Sequence, residues 1–188
     1  MKFILASGSP RRKALLTTIG LHIDLVSPAD IIEQRQSHEL PIAYCQRLAY
    51  EKSIAQSFDD ALVLAADTIV AKENMVFEKP IDDDDALRIL KTLQGTWHEV
   101  ITAWSLYNTK TKETHANHAI SRVLFRSLTH NECVSYVQTG EGTDKAGGYG
   151  IQGLGAALVS TIEGSYSNIV GLPIEQIAPI LIQYKILG

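Results

Sequence analysis

The sequence predicts an α/β fold: a mixed, mostly antiparallel twisted sheet with flanking helices. Three observations predict it. Short apolar runs with strand character alternate with stretches whose apolar residues recur at helical spacing. Two long strand-like runs stand side by side in the second half, around a lysine-rich turn. No repeat, low-complexity tract or linker interrupts the 188 residues, so one domain spanning 1–188 is expected.

The elements come in order along the chain. "KFILAS" reads as a short buried strand. Ser9 stands where a helix N-cap belongs, and Pro10 suits the first helical position. Leu15, Leu16 and Ile19 form the apolar face of that helix, and Gly20 ends it. "HIDLVS" reads as a second strand. "PIAYCQRLAYEKSIAQSF" is a long helix from Pro41. "ALVLAADTIVA" is a third strand, and "MVFEKP" returns as a hairpin after Glu73-Asn74. Asp82 to Asp85 open the helix "DDDDALRILKTL", which Gly95 ends. Acids there complement the helix dipole and cap free N–H groups, so these four read as helix chemistry rather than metal ligands. "HEVITAWSLYNT" and "ETHANHAISRVLF" form the long strand pair. "THNECVSYVQTG" is a helix. A glycine-rich segment from Gly140 to Gly155 leads to a strand in "AALVSTIEG", and "PIEQIAPILIQYKIL" closes the chain as a helix.

Composition narrows the function. Hydrophobic residues at 45% and charged residues at 20% are those of a soluble globular protein. A net charge of -4 argues against a nucleic-acid polymer as partner, so an anionic ligand must be held by local positive charge. No run approaches the ~18 apolar residues of a membrane span, and the N-terminus is no signal peptide. The cytoplasm is the expected compartment. Cys45 and Cys133 fit neither a disulfide framework nor zinc spacing. Cys45 falls on an apolar helical stripe and reads as a small core residue. His22, His38, His98, His115, His118 and His130 show no ligand pattern.

Several residues break their local pattern. Asp67 sits in "LVLAADTIV", where every neighbour but Thr68 is apolar or small. It is either a strand end in solvent or a catalytic or metal-coordinating carboxylate at the mouth of a cleft. Lys52 falls on the helix face shared by Ile42, Cys45, Leu48 and Ala49, whereas Arg47 and Glu51 point elsewhere and look solvated. Its ammonium either snorkels at the edge of the core or is aimed into a polar site. Lys79 follows an apolar strand and reads as a turn lysine on its own. "GYGIQG" matches the dinucleotide-binding string, but no strand precedes it and no βαβ unit follows, so that fold is rejected. Its glycines still require tight turning or close backbone approach.

"ILASGSPRRKALL" gathers these signals. A helix N-terminus after Ser-Gly-Ser offers N–H groups and hydroxyls to an anion, and Arg11 and Arg12 add forked donors suited to phosphate. Ser7, Arg11 and Arg12 look like half of a polyphosphate cradle. Lys52 and Lys79 are candidates for the other half, and Glu33 and Asp67 for a bridging divalent ion.

"LASGSPRRKALL", "RLAYEKS", "AADTIV", "EKP", "HEVITA", "DKAGGYGIQG" and "GSYSNIVGLP" occur in this order over almost the whole chain. Together they resemble the Maf family of nucleoside triphosphate pyrophosphatases. The resemblance implies two lobes around a central cleft, related to the inosine triphosphatase architecture. It implies hydrolysis of a nucleoside triphosphate to monophosphate and pyrophosphate with a divalent metal, Mg2+ or Mn2+. Carried over residue by residue, the phosphate-binding loop falls on Ser7, Arg11 and Arg12. The acid before the long helix falls on Glu33, the helix lysine on Lys52, the general base on Asp67 and the lysine of the Lys-Pro pair on Lys79. The metal ligands would be Asp67 and Glu33. Positions tied to base choice fall on Arg11, Thr68 and Gln152. "SGSPRR" with "ADTIV", and "GIQG", resemble the branch acting on dTTP and UTP. One departure stands out: Ile32 replaces the first of two adjacent acids usual in the family. The resemblance leaves open a homodimer, a 7-methyl-GTP pyrophosphatase, and a nucleotide-binding regulator of septum formation without essential catalysis.

Overall fold

A computed structural model describes all residues, 1–188. Its elements in chain order are β1 (Lys2–Leu5), α1 (Pro10–Thr18), β2 (Leu25–Val26), α2 (Pro41–Ile54), β3 (Ala61–Lys72), β4 (Met75–Phe77), α3 (Asp83–Leu93), β5 (Trp97–Asn108), β6 (Thr114–Phe125), α4 (His130–Val137), β7 (Val159–Glu163), α5 (Tyr166–Val170) and α6 (Ile174–Gln183). The seven strands form one sheet in the order β2-β1-β3-β5-β6-β7, with β4 paired to β3. The sheet is mixed, as expected. β1 pairs in parallel with β2 and β3, while β4 and β7 run antiparallel to β3 and β6.

The chain divides into two compact units. The first holds Met1–Asp67, Thr102–Ala119 and Gly171–Gly188; the second holds Thr68–Ile101 and Ile120–Val170. In the first unit, alternation along β1 sends Phe3 and Leu5 to one face of the sheet and Ile4 to the other. Phe3 and Leu5 join Leu62, Leu64, Trp104 and Leu106, and the helices close over them with Leu16 of α1 and Ile177 and Leu181 of α6. Ile4, Ala6, Ala61, Val63 and Ala65 make the opposite cluster. β3 is therefore buried on both faces, which explains its almost unbroken apolar run.

The second unit is built around Val70, Phe77, Ile89, Leu90, Leu93, Val123, Phe125 and Tyr149. The α3 stripe Ala86, Ile89, Leu90 and Leu93 recurs at helical spacing and is buried. Asp82 caps α3 by accepting the Asp85 N–H at 2.8 Å. Thr129 and Glu132 form a reciprocal capping box on α4.

Four local expectations need revision. "HIDLVS" yields only two strand residues, and the Asp24 side chain accepts the Phe3 N–H at 2.7 Å beside them. Ser9 holds the N-cap position of α1 but makes no side-chain capping bond. "AALVSTIEG" begins with a 3-10 turn over Leu154–Leu158, so its strand starts only at Val159. α5 has no counterpart in the sequence reading, because five residues are too short for a periodic signal.

His98 is the unusual core residue of the second unit. It is buried, its ring packs edge-on against Phe125 and Tyr149, and its Nε2 lies 2.9 Å from Tyr149 Oη. Its Nδ1 is buried without a hydrogen-bond partner. A proton on Nε2 leaves that atom a bare acceptor rather than an orphaned donor. Burial, with a smaller contribution from Lys72, lowers the imidazole to about 4. The unfolded chain then binds more protons than the folded one between about pH 6.5 and pH 4. Stability from this group is complete above that window and falls as pH drops through it. The expected loss is on the order of 3 kcal/mol between pH 7 and pH 4. Urea unfolding of His98→Gln at both pH values should show a correspondingly shallower pH dependence than the parent chain.

Candidate active site

Parallel pairing sets the site in the first unit. Leu5 of β1 is in register with Val26 of β2 and with Leu64 of β3. The chain continues past this level on all three strands. Ser7 lies two residues beyond Leu5, and Asp67 three beyond Leu64. The irregular segment 27–40, which carries Glu33, leaves from the end of β2. Ser7 and the segment with Glu33 thus follow the carboxyl ends of β1 and β2, while Asp67 lies within β3, just past the level at which its pairing with β1 ends.

The crossover helix α2 supplies the cation. Cys45, Leu48, Ala49 and Lys52 are all buried along one stripe. Lys52 Nζ donates to Asp67 Oδ1 at 2.6 Å and pairs with Glu33 Oε1 at 2.9 Å. The ammonium is aimed into a polar site rather than snorkelling outward. Asp67 is 7% exposed, so the solvent-facing strand-end reading does not hold. The main chain of Asp67 is tied as well: the Cys45 thiol donates to its carbonyl at 3.3 Å. Burial, together with the Asp67 charge, pushes that thiol well above its ordinary range, so it stays neutral.

Arg12 turns back from α1 onto the preceding loop. Its guanidinium donates to Ser7 Oγ at 2.9 Å and to the Gly171 carbonyl at 2.8 Å. Burial lowers its pKa and the field of Asp67 opposes this; Cys45, Arg11 and Glu33 also act on it. An arginine keeps its charge under such a shift. Ser7 also accepts the Ser9 N–H at 3.3 Å. The hydroxyl and the fork are therefore fixed together, beside two carboxylates and an ammonium.

Two carboxylate oxygens converge on the single point that Lys52 Nζ marks. Hard oxygen donors of this kind suit Mg2+ or Mn2+, which take one or two carboxylates and complete their shell with water and substrate phosphate. No group of three His, Cys, Asp or Glu side chains forms a closed metal cage. The two carboxylates are of the oxygen-donor type that a Mg2+ or Mn2+ ion takes.

Glu33 sits on a segment without secondary structure, and α2 also holds that segment. Arg47 makes a forked pair with Glu39, at 2.7 and 2.9 Å, and donates to the Gln34 carbonyl at 3.0 Å. Tyr44 donates to the Glu33 carbonyl at 3.3 Å. The Arg47 hydrogen bond brings Glu39 down to about 2. Arg47 is therefore a clamp on the loop, not a solvated bystander. The loop acid that it grips lies eight residues away, beyond the start of the helix, and helical periodicity says nothing about such a partner.

Thr68, Lys79 and Gln152 belong to the second unit. Thr68 is half-buried on β3; Lys79 and Gln152 are exposed. Lys79 occupies the bend before α3, and the glycine-rich segment docks on that bend through the Gly147 N–H to the Glu78 carbonyl at 3.1 Å. Gln152 rides on a turn pinned from below by Glu141. That carboxylate accepts from the N–H groups of Leu154 and Gly155, both at 2.7 Å, and from Tyr136 Oη at 2.8 Å. Tyr136 Oη in turn accepts the Gly150 N–H at 3.0 Å. A Cβ on Gly153 would stand 1.9 Å from Glu141 Oε1, which is why the turn needs glycine there. Sequence reading finds the glycines but misses Glu141 and Tyr136.

The structure therefore brings Ser7, Arg12, Glu33, Lys52 and Asp67 together in the first unit, with Arg11 acting on Arg12 through its charge. No helix is long and apolar enough to cross a membrane.

Comparison with known proteins agrees with the resemblance. A chain from Syntrophomonas wolfei named dTTP/UTP pyrophosphatase is 45% identical, covering 92% of this chain and 92% of its own. One of the same name from Aquifex aeolicus is 40% identical over 100% of this chain and 98% of its own. Another from Vibrio cholerae is 43% identical over 93% and 94%. Among solved structures, a HAM1 protein from Coxiella burnetii aligns with a TM-score of 0.49 and 13% identity over 97% of this chain and 99% of that one. The family model for Maf-like proteins matches residues 2–184. This chain belongs to the Maf family.

Proposed function

We propose that this chain is a nucleoside triphosphate pyrophosphatase that hydrolyses dTTP and UTP to the monophosphate and pyrophosphate. The observation that carries the reading is the Lys52 ammonium held between Asp67 and Glu33, beside the Arg12–Ser7 pair. This is the charge pattern that a metal-bound polyphosphate requires: fixed cations for its oxygens and oxygen donors for its counterion. The names carried by relatives at 40–45% identity support the substrate assignment.

In this mechanism Asp67 and Glu33 would hold a divalent cation, Mg2+ or Mn2+, and the chemistry it would supply is neutralisation of phosphate charge. Arg12 and Ser7 grip the polyphosphate chain. Arrival of the substrate gives Lys52 a third anionic partner. As the ammonium turns toward phosphate, a lone pair of Asp67 becomes available to the attacking water. Asp67 accepts the water proton while the oxygen attacks the α-phosphorus. Arg12, Lys52 and Lys79 stabilise charge on the transferring group and on the departing pyrophosphate. Gln152 reads the base: its carbonyl accepts from N3–H of uracil or thymine and its amide donates to O4. Cytosine reverses both positions. Nothing in this scheme selects against the 2′-hydroxyl, so ribose and deoxyribose substrates both serve.

Asp67→Asn should lower turnover by roughly 100-fold or more while calorimetry still detects nucleotide binding. Near-parental turnover would remove Asp67 from the role of base. A chelator should stop the parent enzyme and added Mg2+ or Mn2+ restore it, with pyrophosphate as the first product; orthophosphate first would mean cleavage at the terminal phosphate. For base choice, kcat/KM on UTP should exceed that on CTP by at least ~10-fold, and Gln152→Ala should shrink the ratio. Equal rates on the two nucleotides in the parent enzyme would defeat the Gln152 reading.

A further inference from the structure

We propose that Cys45 is a positioning residue for Asp67, resting on the reading of Asp67 as the base. The Cys45 thiol donates to the Asp67 carbonyl at 3.3 Å, and its sulfur accepts the Ala103 N–H at 3.3 Å. Those two backbone groups belong to the neighbouring strands β3 and β5, and both residues are buried. A buried carbonyl and a buried N–H each need a partner. One thiol meets both needs from a helix packed on the sheet. Leu48 and Ala49, also buried on α2, have no side-chain group that can do so.

The same helix holds the other end of the residue. Cys45 and Lys52 are seven positions apart, close to two full turns, and so share a face of α2. Side chains on a helix lean toward its N-terminus, so the long Lys52 arm reaches back toward the level of Cys45. The short thiol takes the Asp67 main chain and the long ammonium takes its carboxylate, at 2.6 Å. The helix thus holds the residue at two points, the thiol adding to the hold of the sheet on its main chain. A thiol suits the first point because one sulfur both donates and accepts.

The test compares Cys45→Ala, Cys45→Val and Cys45→Ser with Asp67→Asn and the parent, using UTP with Mg2+. Alanine is smaller than the native side chain and valine larger, and neither can bridge the backbone groups; serine can. The expected result is a kcat about 10-fold lower in the alanine and valine variants, with KM within ~2-fold of the parent. Serine should recover kcat to within ~3-fold. Urea unfolding measured alongside separates loss of fold from loss of positioning, and the valine variant keeps the test alive where alanine leaves a cavity. Parental kcat in folded alanine or valine variants, with Asp67→Asn inactive, would overturn the role of Cys45 while leaving Asp67 in place. Serine as impaired as valine would overturn it too. An active Asp67→Asn would instead sink the parent reading.

Discussion

The buried pair of Lys52 and Asp67 is the interaction on which the rest of the first unit depends. Two charges withdrawn from water cost several kcal/mol each unless they meet at close range with their other polar atoms satisfied. Here they meet at 2.6 Å, Glu33 adds a second carboxylate, and Cys45 satisfies the carbonyl of Asp67. Removing Lys52 would strand the buried Asp67 carboxylate, at a cost of ~3–5 kcal/mol, whereas removing Asp67 leaves Lys52 its pair with Glu33. The constraint extends outward from that point. Helix α2 must sit where Lys52 reaches β3, and the segment carrying Glu33 must return to α2. Arg47 and Tyr44, one turn or more before Lys52, hold it there.

Parallel register turns this local pair into a site. β1 and β2 end at the level of Leu64 in β3, so the segments that leave them start beside the part of β3 that carries Asp67. A hydroxyl and a guanidinium come after the first strand, an acid-bearing loop after the second, and Asp67 lies within the third. The second unit solves a different problem. Its glycine-rich segment must bring backbone N–H groups onto one carboxylate, which needs absent side chains more than present ones. Gly155 illustrates this: a Cβ there would stand 2.5 Å from the Gly150 carbonyl and 2.9 Å from Tyr136 Oη.

Periodicity makes most of the architecture legible. The α2 stripe exposes Lys52 as an outlier, and the apolar run of β3 does the same for Asp67, because each breaks a pattern that burial enforces. The hairpin at Glu73-Asn74 is readable from turn chemistry, and Glu73 does adopt a positive φ of 57°. The features that stay hidden depend on contacts between segments distant in sequence. Glu141 looks like an ordinary turn acid until Leu154 and Gly155 fold over it. Arg47 looks like a solvated helix residue until the loop wraps round to it. Cys45 passes as core because it is core, and its two hydrogen bonds are invisible to any count of apolar neighbours. β2 errs in the opposite direction: "HIDLVS" has strand composition, but only Leu25 and Val26 find a partner.

A strand as apolar as β3 would fold well without Asp67. Its neighbours Ala65 and Ala66 are small and fully buried, and a buried ion pair replaced by well-packed apolar residues is often neutral for stability or better. Folding alone therefore gives no reason to place a carboxylate there. It gives still less reason to neutralise that carboxylate with a lysine on the apolar stripe of a helix, then add Glu33 from a loop that needs its own clamp. Each device raises the cost of the one before it, and together they leave a cluster whose charge is balanced only by close contact. An arriving polyphosphate would disturb that balance by competing for Lys52. A packed hydrocarbon core offers nothing for such a ligand to displace, and this responsiveness is the physical ground for reading the cluster as a reaction centre rather than a structural brace.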